Sequence, residues 1–376
     1  MRRRFVLWGS LVLAALLFWN FGRSGPVPGR LRAPPGFRVE VWAEDVDDAR
    51  SLALGAGGTV FVGTREAGNV YAVRDEDGDG RADRVRTIAT GLEMPNGVAI
   101  RDGALYVAEV SRIIRFDDIE ARLDSPPAPA VVFDRYPTEG HHGWKHIAFG
   151  PDGMLYVPVG APCNICSPAD TFFATITRLR IDGAGVADDS GARIFARGVR
   201  NSVGFDWHPE SGELWFTDNG RDWMGDNRPP DELNRAGGVG LHFGFPHCHG
   251  RDIADPEFGD AQPCSRSQPP EAEFGAHVAA LGIHFYRGAM FPAEYRGQAF
   301  VAHHGSWNRS SPSGYQLVLV RFRDGRPVGT EEFVTGWRSR YRTRGRPVAL
   351  LELPDGSLLV SDDHAGAIYR ITWEGS

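Results

Sequence analysis

The sequence lacks an excess of positive charge. A formal net charge of −7 over 376 residues repels a phosphate backbone, which argues against a general nucleic-acid binder. Cysteine is scarce, at four residues. Cys163 and Cys166 form a Cys-Asn-Ile-Cys pair followed by Ser167, so the histidine needed for covalent haem attachment is missing. An even cysteine count in an oxidising compartment reads as two disulfides, with Cys163–Cys166 and Cys248–Cys264 the preferred pairing and the other two pairings open. His247 and His249 flank Cys248 and offer a zinc alternative, but a disulfide-stapled loop is the better reading.

One long apolar run is present, and it lies at the extreme N-terminus. Arg2, Arg3 and Arg4 precede residues 5–21, which are apolar apart from weak points at Gly9, Ser10 and Asn20, and a breaker-rich stretch follows at residues 22–26. This pattern is that of a secretory signal or a short uncleaved anchor, with the charge holding the N-terminus in the cytoplasm. No small-x-small cleavage site precedes the break, which favours the anchor. Either way the body is exported, to the periplasm or beyond, with residues 22–35 as a linker. The remainder has the composition of a soluble globular protein, 42% hydrophobic and 24% charged, with 47 Gly and 26 Pro to supply tight turns.

A glycine followed by a four-residue apolar strand recurs at Gly58, Gly103, Gly153, Gly212, Gly297 and Gly356. The separations run from about 45 to about 85 residues, close to the pitch of propeller blades with insertions in the fourth and fifth units. The third copy is the clearest: residues 147–149, a Gly-Pro-Asp-Gly turn at 150–153 and residues 154–157 read as a hairpin. The expected architecture is all-β, a six-bladed β-propeller of four-stranded antiparallel blades over residues 36–373. Residues 37–42 alternate as a half-buried strand and complete the last blade. Residues 218–234 read as a long polar loop after the fourth hairpin.

In a hairpin, the residue before the first strand and the residue after the second lie at the same end, so in a propeller these positions ring one mouth of the central channel. Before first strands stand His142, Lys145, Arg200, Asn201, Arg344 and Arg346; after second strands stand Asp218, Asn219, His303, His304, Arg309, Asp362, Asp363 and His364. An imidazole among several guanidinium groups suits a multiply anionic ligand and a proton abstraction. On the outer turn of blade one, Asp75, Asp77, Asp79 and Asp83 alternate around Gly80 like the start of a calcium loop. Position twelve is Arg86 where a bidentate Glu is wanted, and Asp-Gly is also an ordinary turn, so a calcium ion here would be structural.

The run 198–205 (Gly-Val-Arg-Asn-Ser-Val-Gly-Phe), Asp218-Asn219-Gly220, 231–234 (Asp-Glu-Leu-Asn), 304–309 (His-Gly-Ser-Trp-Asn-Arg) and Arg346-Pro347 resemble the glucose/sorbosone dehydrogenase family. That family consists of six-bladed propellers using pyrroloquinoline quinone (PQQ) and calcium. The Gly-Ala-Pro-Cys-Asn-Ile-Cys stretch at 160–166 is closer to the sorbosone branch. The resemblance implies His142 as catalytic base, and Arg200, Asn201, Arg344 and Arg346 as cofactor contacts. It further implies the backbone carbonyls of Gly220 and Arg221 as calcium ligands. Asn219 and Arg309 join the candidate cofactor contacts by their place at the mouth.

The glucose branch carries Asp at the positions of His141 and Ala161, so glucose itself is disfavoured as substrate and one carboxylate that would orient the base is gone. The expected activity is oxidation of an aldose or a sorbosone-like sugar aldehyde, with hydride transfer to PQQ and a quinone or cytochrome as electron acceptor. The alternatives are a calcium-dependent lactonase or esterase on a similar propeller, and a non-catalytic exported binding propeller.

Overall fold

The repeat glycines share a conformation. In the computed structural model, which describes residues 25–182, 185–186 and 191–375, Gly58, Gly103, Gly153, Gly212, Gly297 and Gly356 all have φ between 67° and 85°. Each sits in the connection just ahead of the second strand of its blade, where a Cβ would be strained by the backbone angle itself; at Gly153 an added Cβ would meet nothing within 4 Å.

The strands that follow these turns are buried along their whole length, as at Ala104–Ala108, Leu155–Val159, Leu214–Asp218, Ala299–His303 and Leu358–Asp362. Both of their faces pack against neighbouring blades, which is why they read as continuous apolar runs rather than alternating ones.

Six antiparallel sheets result, each containing four consecutive blade strands, and they form a six-bladed β-propeller. No α-helix occurs among the described residues. The innermost strands are Leu52–Leu54, Gly97–Arg101, Ala148–Phe149, Phe205–Trp207, Ala280–Phe285 and Pro347–Glu352. Blade three gains a fifth strand, Leu241–His242, which pairs parallel to Arg193–Arg197.

Ring closure is as the sequence implies. Phe37–Ala43 pairs antiparallel with Ala367–Trp373 and so joins the first strand of the chain to the last blade. Phe37 is held by edge-to-face contacts with Phe291, Tyr295, Phe333 and Trp373, at centroid distances of 4.8–5.1 Å. Ahead of this strand the chain is docked along the same blades: Arg32 and Thr335 exchange backbone hydrogen bonds and the Val27 N–H donates to the Tyr369 hydroxyl. The expected signal or anchor lies outside the described residues, among which no helix is long and apolar enough to cross a membrane.

One element differs from its sequence reading. Residues 231–234 belong to the third strand of blade four, Pro230–Ala236, rather than to a loop. Their polar side chains are buried: Asp231 accepts the Gly220 and Ala280 N–H groups, and Glu232 accepts the Gly250 N–H and, within the strand itself, the Asn234 amide. The side-chain pattern therefore serves the neighbouring loops and hides the strand period.

Both disulfides, Cys163–Cys166 and Cys248–Cys264, take the preferred pairing. Cys248 is thereby withdrawn from any zinc site.

Candidate active site

The loops at one end of the propeller enclose a cavity of about 530 Å³. Its wall comes from the positions named by the hairpin argument, with His142, Arg200, Asn201, Asn219, Gly220, His304, Arg346, Asp363 and His364 among the lining residues.

His142 enters from the loop before the first strand of blade three. The turn Gly140–Gly143 closes through a Gly143 N–H to Gly140 carbonyl bond of 3.0 Å, and His142 within it has φ 51°. Gly160 crosses so closely that an added Cβ would stand 2.6 Å from the His142 Cβ. Lys145, fully buried, holds the back of this loop by donating to the carbonyls of Gly143 and Val110, and burial lowers its pKa to about 7.

The ring of His142 is oriented by the backbone. Its Nδ1 lies 2.9 Å from the Ala161 carbonyl oxygen, which can only accept, so the neutral imidazole carries its proton on Nδ1 and its lone pair on Nε2. Burial, then the Arg200 guanidinium, then His141 hold the pKa well below the ordinary imidazole value. Residue 161 carries no carboxylate, and its main-chain carbonyl orients the ring.

Arg200 lines the same cavity as His142 and is almost fully buried. Its guanidinium donates to the Asn164 carbonyl (2.9 Å), the Asn164 Oδ1 (2.8 Å) and the Asn219 carbonyl (3.0 Å), and lies 3.6 Å from Asp222. The backbone N–H groups of Arg200 and Asn201 donate to the two oxygens of Asp218, at 2.8 and 2.6 Å. Burial pushes the Asp218 pKa up, and Glu232, its partner across the strands, is raised for the same reason.

Across the cavity, Arg346 donates to the Gly305 carbonyl at 2.9 Å and lies over the Tyr315 ring at 5.0 Å. Next to it His304 and Arg50 both engage Asp363, at 2.9 and 2.5 Å; burial pushes that carboxyl up, but its contacts with His304, Arg50 and Arg346 hold it far below the usual range.

Not every expected residue reaches this wall. The Arg309 guanidinium donates instead to the Ala276 carbonyl and Asn227, and Arg344 lies outside the lining set. The Arg221 side chain turns away to pair with Asp255 and Glu257. The backbone carbonyls of Gly220 and Arg221 nevertheless accept no hydrogen bond among the described residues, the state expected of carbonyls free to ligate a hard cation.

The acidic turn of blade one lies at the opposite end of the molecule from this mouth. Asp75, Asp77 and Asp83 each bring a carboxylate oxygen within 4.8 Å of the others, whereas Asp79 is not part of the group and caps the Arg81 N–H. The three carboxylates also accept the turn's own N–H groups, at Gly78, Asp79 and Glu76.

Several lining residues escaped the sequence reading. Arg50 stands two residues before the first strand of blade one, where the hairpin rule applies equally well, and Asp48 and Arg65 accompany it. Trp144 lies under the Arg65 guanidinium at 4.7 Å. Trp307 lines the rim and meets Trp223 edge-to-face at 5.5 Å, with both indoles about two-thirds exposed. No periodic signal marks these two, because their approach depends on hydrogen bonds between loops of different blades, such as Asn308 Nδ2 to Asp222 at 2.8 Å.

A family model described as Glucose / Sorbosone dehydrogenase matches residues 103–372, nearly three-quarters of the chain. The chain belongs to the glucose/sorbosone dehydrogenase family. A relative in Borreliella burgdorferi, described only as an uncharacterized protein, is 32% identical over 365 residues and spans 93% of this chain and 92% of its own. Among solved structures, the calcium structure of the Trichoderma reesei AA12 carbohydrate-active enzyme is similar with a TM-score of 0.80 at 20% identity, covering 94% of this chain and 99% of that one. The PQQ domain of pyranose dehydrogenase from Coprinopsis cinerea gives 0.76 at 18%, over 93% and 98%. The PQQ-bound aldose sugar dehydrogenase of Streptomyces coelicolor gives 0.64 at 19%, over 91% and 99%. At these identities the structural likenesses establish the propeller fold of this glucose/sorbosone dehydrogenase family member.

Proposed function

We propose that the chain is a PQQ- and calcium-dependent oxidoreductase that oxidises an aldose or a sorbosone-like sugar aldehyde, with His142 as general base. The observation that carries this reading is the tautomer of His142: with Nδ1–H committed to the Ala161 carbonyl, the basic Nε2 belongs to a residue lining a cavity flanked by Arg200 and Arg346. The residues present suit the cofactor. Arg200, Arg346 and Asn201 would hold the carboxylates and carbonyls of the quinone, and the Gly220 and Arg221 carbonyls would ligate calcium. When bound, PQQ supplies an electrophilic carbonyl that accepts a hydride, and an adjacent calcium ion makes it more electron-poor. The relatives described as PQQ-bound or holo support the same cofactor.

His142 Nε2 takes the hydroxyl proton of a sugar hemiacetal or hydrated aldehyde as the carbon gives up its hydride. Burial, then Arg200 and His141, disfavour a second proton on the ring, so the base is free at neutral pH. The four lining arginines Arg50, Arg65, Arg200 and Arg346 face five carboxylates, Asp48, Glu66, Asp222, Asp231 and Asp363. A calcium ion on the Gly220 and Arg221 carbonyls would add positive charge to this mixed wall for an anionic cofactor, and burial raises the Asp231 pKa to about 6. Ala161 and His141, in place of carboxylates, favour a sorbosone-like substrate over glucose. The two disulfides support an exported, periplasmic setting, and a quinone or a cytochrome there would reoxidise the cofactor.

The test is direct. Purified protein is incubated with calcium and PQQ and assayed for reduction of an artificial electron acceptor with aldoses and sorbosone, beside ester and lactone hydrolysis. Cofactor-dependent dye reduction is expected. Its absence together with lactone or ester turnover would replace this reading by the hydrolase.

A further inference from the structure

The segment that orients His142 continues directly into a ring of four residues closed by Cys163–Cys166. Asn164 lies within that ring, and its contacts all lead to the cavity. Its main-chain carbonyl accepts from Arg200 Nε at 2.9 Å, and its Oδ1 accepts from Arg200 Nη2 at 2.8 Å. The same Oδ1 accepts the Asp222 N–H at 2.8 Å, while Nδ2 donates to the Asp222 carbonyl at 3.1 Å. One amide thus holds both the Arg200 guanidinium and the backbone that follows Gly220 and Arg221. The ring has little else to keep its shape: among the described residues no backbone–backbone hydrogen bond involves residues 162–168.

We propose that Asn164 is a positioning residue for Arg200 and for the backbone at Asp222, and that the Cys163–Cys166 disulfide makes this positioning depend on redox state. Reduction by a dithiol proceeds through a mixed disulfide. The reagent closes to its own disulfide, and Cys163 and Cys166 end as two thiols, having received two electrons and two protons. The opened chain no longer presents the Asn164 carbonyl and amide together, and Arg200 loses two of its three short acceptors. That Arg200 receives an anion rests on the proposed function; that Asn164 positions it does not.

The test reads the side chain without cofactor. Phenylglyoxal modifies accessible guanidinium groups, and peptide mass mapping gives the rate at Arg200, with buried Arg50 as internal control. The proteins compared are wild type, Asn164→Ala, Asn164→Asp and the double variant Cys163→Ser/Cys166→Ser. We expect Arg200 to react at least about tenfold faster in the Ala and double-Ser variants, at an unchanged Arg50 rate. Asn164→Asp loses the Nδ2 donor to the Asp222 carbonyl but keeps both acceptors for Arg200, so its Arg200 rate stays close to wild type. In the same two impaired variants the affinity for PQQ, read by tryptophan fluorescence, falls about tenfold in parallel. A wild-type Arg200 rate in both impaired variants overturns the proposal, and so does an Arg50 rate that rises in step with Arg200. A wild-type protein that binds no PQQ removes the proposed function and leaves the labelling to decide this inference.

Discussion

The two nitrogens of His142 have different jobs, and the difference is set by a carbonyl. Because the Ala161 oxygen cannot donate, Nδ1 keeps the proton and Nε2 is left basic, and burial beside Arg200 keeps the ring neutral. Changing His142 to Ala should therefore lower kcat by about 10²–10⁴-fold, the usual worth of a general base, while PQQ binding measured by fluorescence stays within about twofold. A fully active variant would mean that another group takes the proton.

The sign of the pKa shift gives a second expectation at the same residue. A lowered pKa keeps the base deprotonated as pH falls through the ordinary imidazole value, so kcat/KM stays level there and declines only in more acid solution. A pH profile with its acid limb centred at or above about pH 6.5 contradicts the assignment. His142 was legible in the sequence because it stands just ahead of a strand start; Arg50 obeys the same rule before Leu52–Leu54. Trp223 and Trp307 were not legible, since each is an exposed loop residue whose partner comes from another blade.

At the scale of the element, the hairpin glycine and the strand after it form the unit that repeats. Gly153 has φ 73° and open space where a Cβ would go, so substitution there is penalised by backbone conformation alone. Gly153→Ala should cost about 1 kcal/mol of unfolding free energy, and Gly153→Asn distinctly less because Asn tolerates the left-handed region. Urea unfolding of both variants checks this, and equal losses would locate the cost elsewhere. The apolar strand after each glycine is plain in sequence because both of its faces are buried. The third strand of blade four is not, because Asp231 and Glu232 use their buried side chains to satisfy backbone N–H groups of other segments.

At the scale of the whole molecule, stability depends on closing the ring. The first strand, Phe37–Ala43, is separated from its partner Ala367–Trp373 by almost the entire chain, and Phe37 lies among four aromatic rings at that seam. Phe37→Ala should destabilise the fold by about 3 kcal/mol, and since the blades pack in a closed circle the loss should appear as one cooperative transition at a lower midpoint. Calorimetry resolves this. An early separate transition for blade six alone would show that the seam is not coupled to the rest.

The sequence by itself determined the architecture, because the turn glycines and the two-sided burial of the strands after them are local requirements written six times along the chain. It also placed His142 with Arg200, Asn201 and Arg346 at one end of the blades, where they line one cavity. What only the tertiary structure decided is which of those polar groups meet. Arg200 reaches Asn164 while Arg221 and Arg309 turn to partners of their own, and the carbonyl of Ala161 orients the His142 ring. Side-chain direction and main-chain hydrogen bonds between blades follow from packing across distant parts of the chain, which residue types and spacing do not encode.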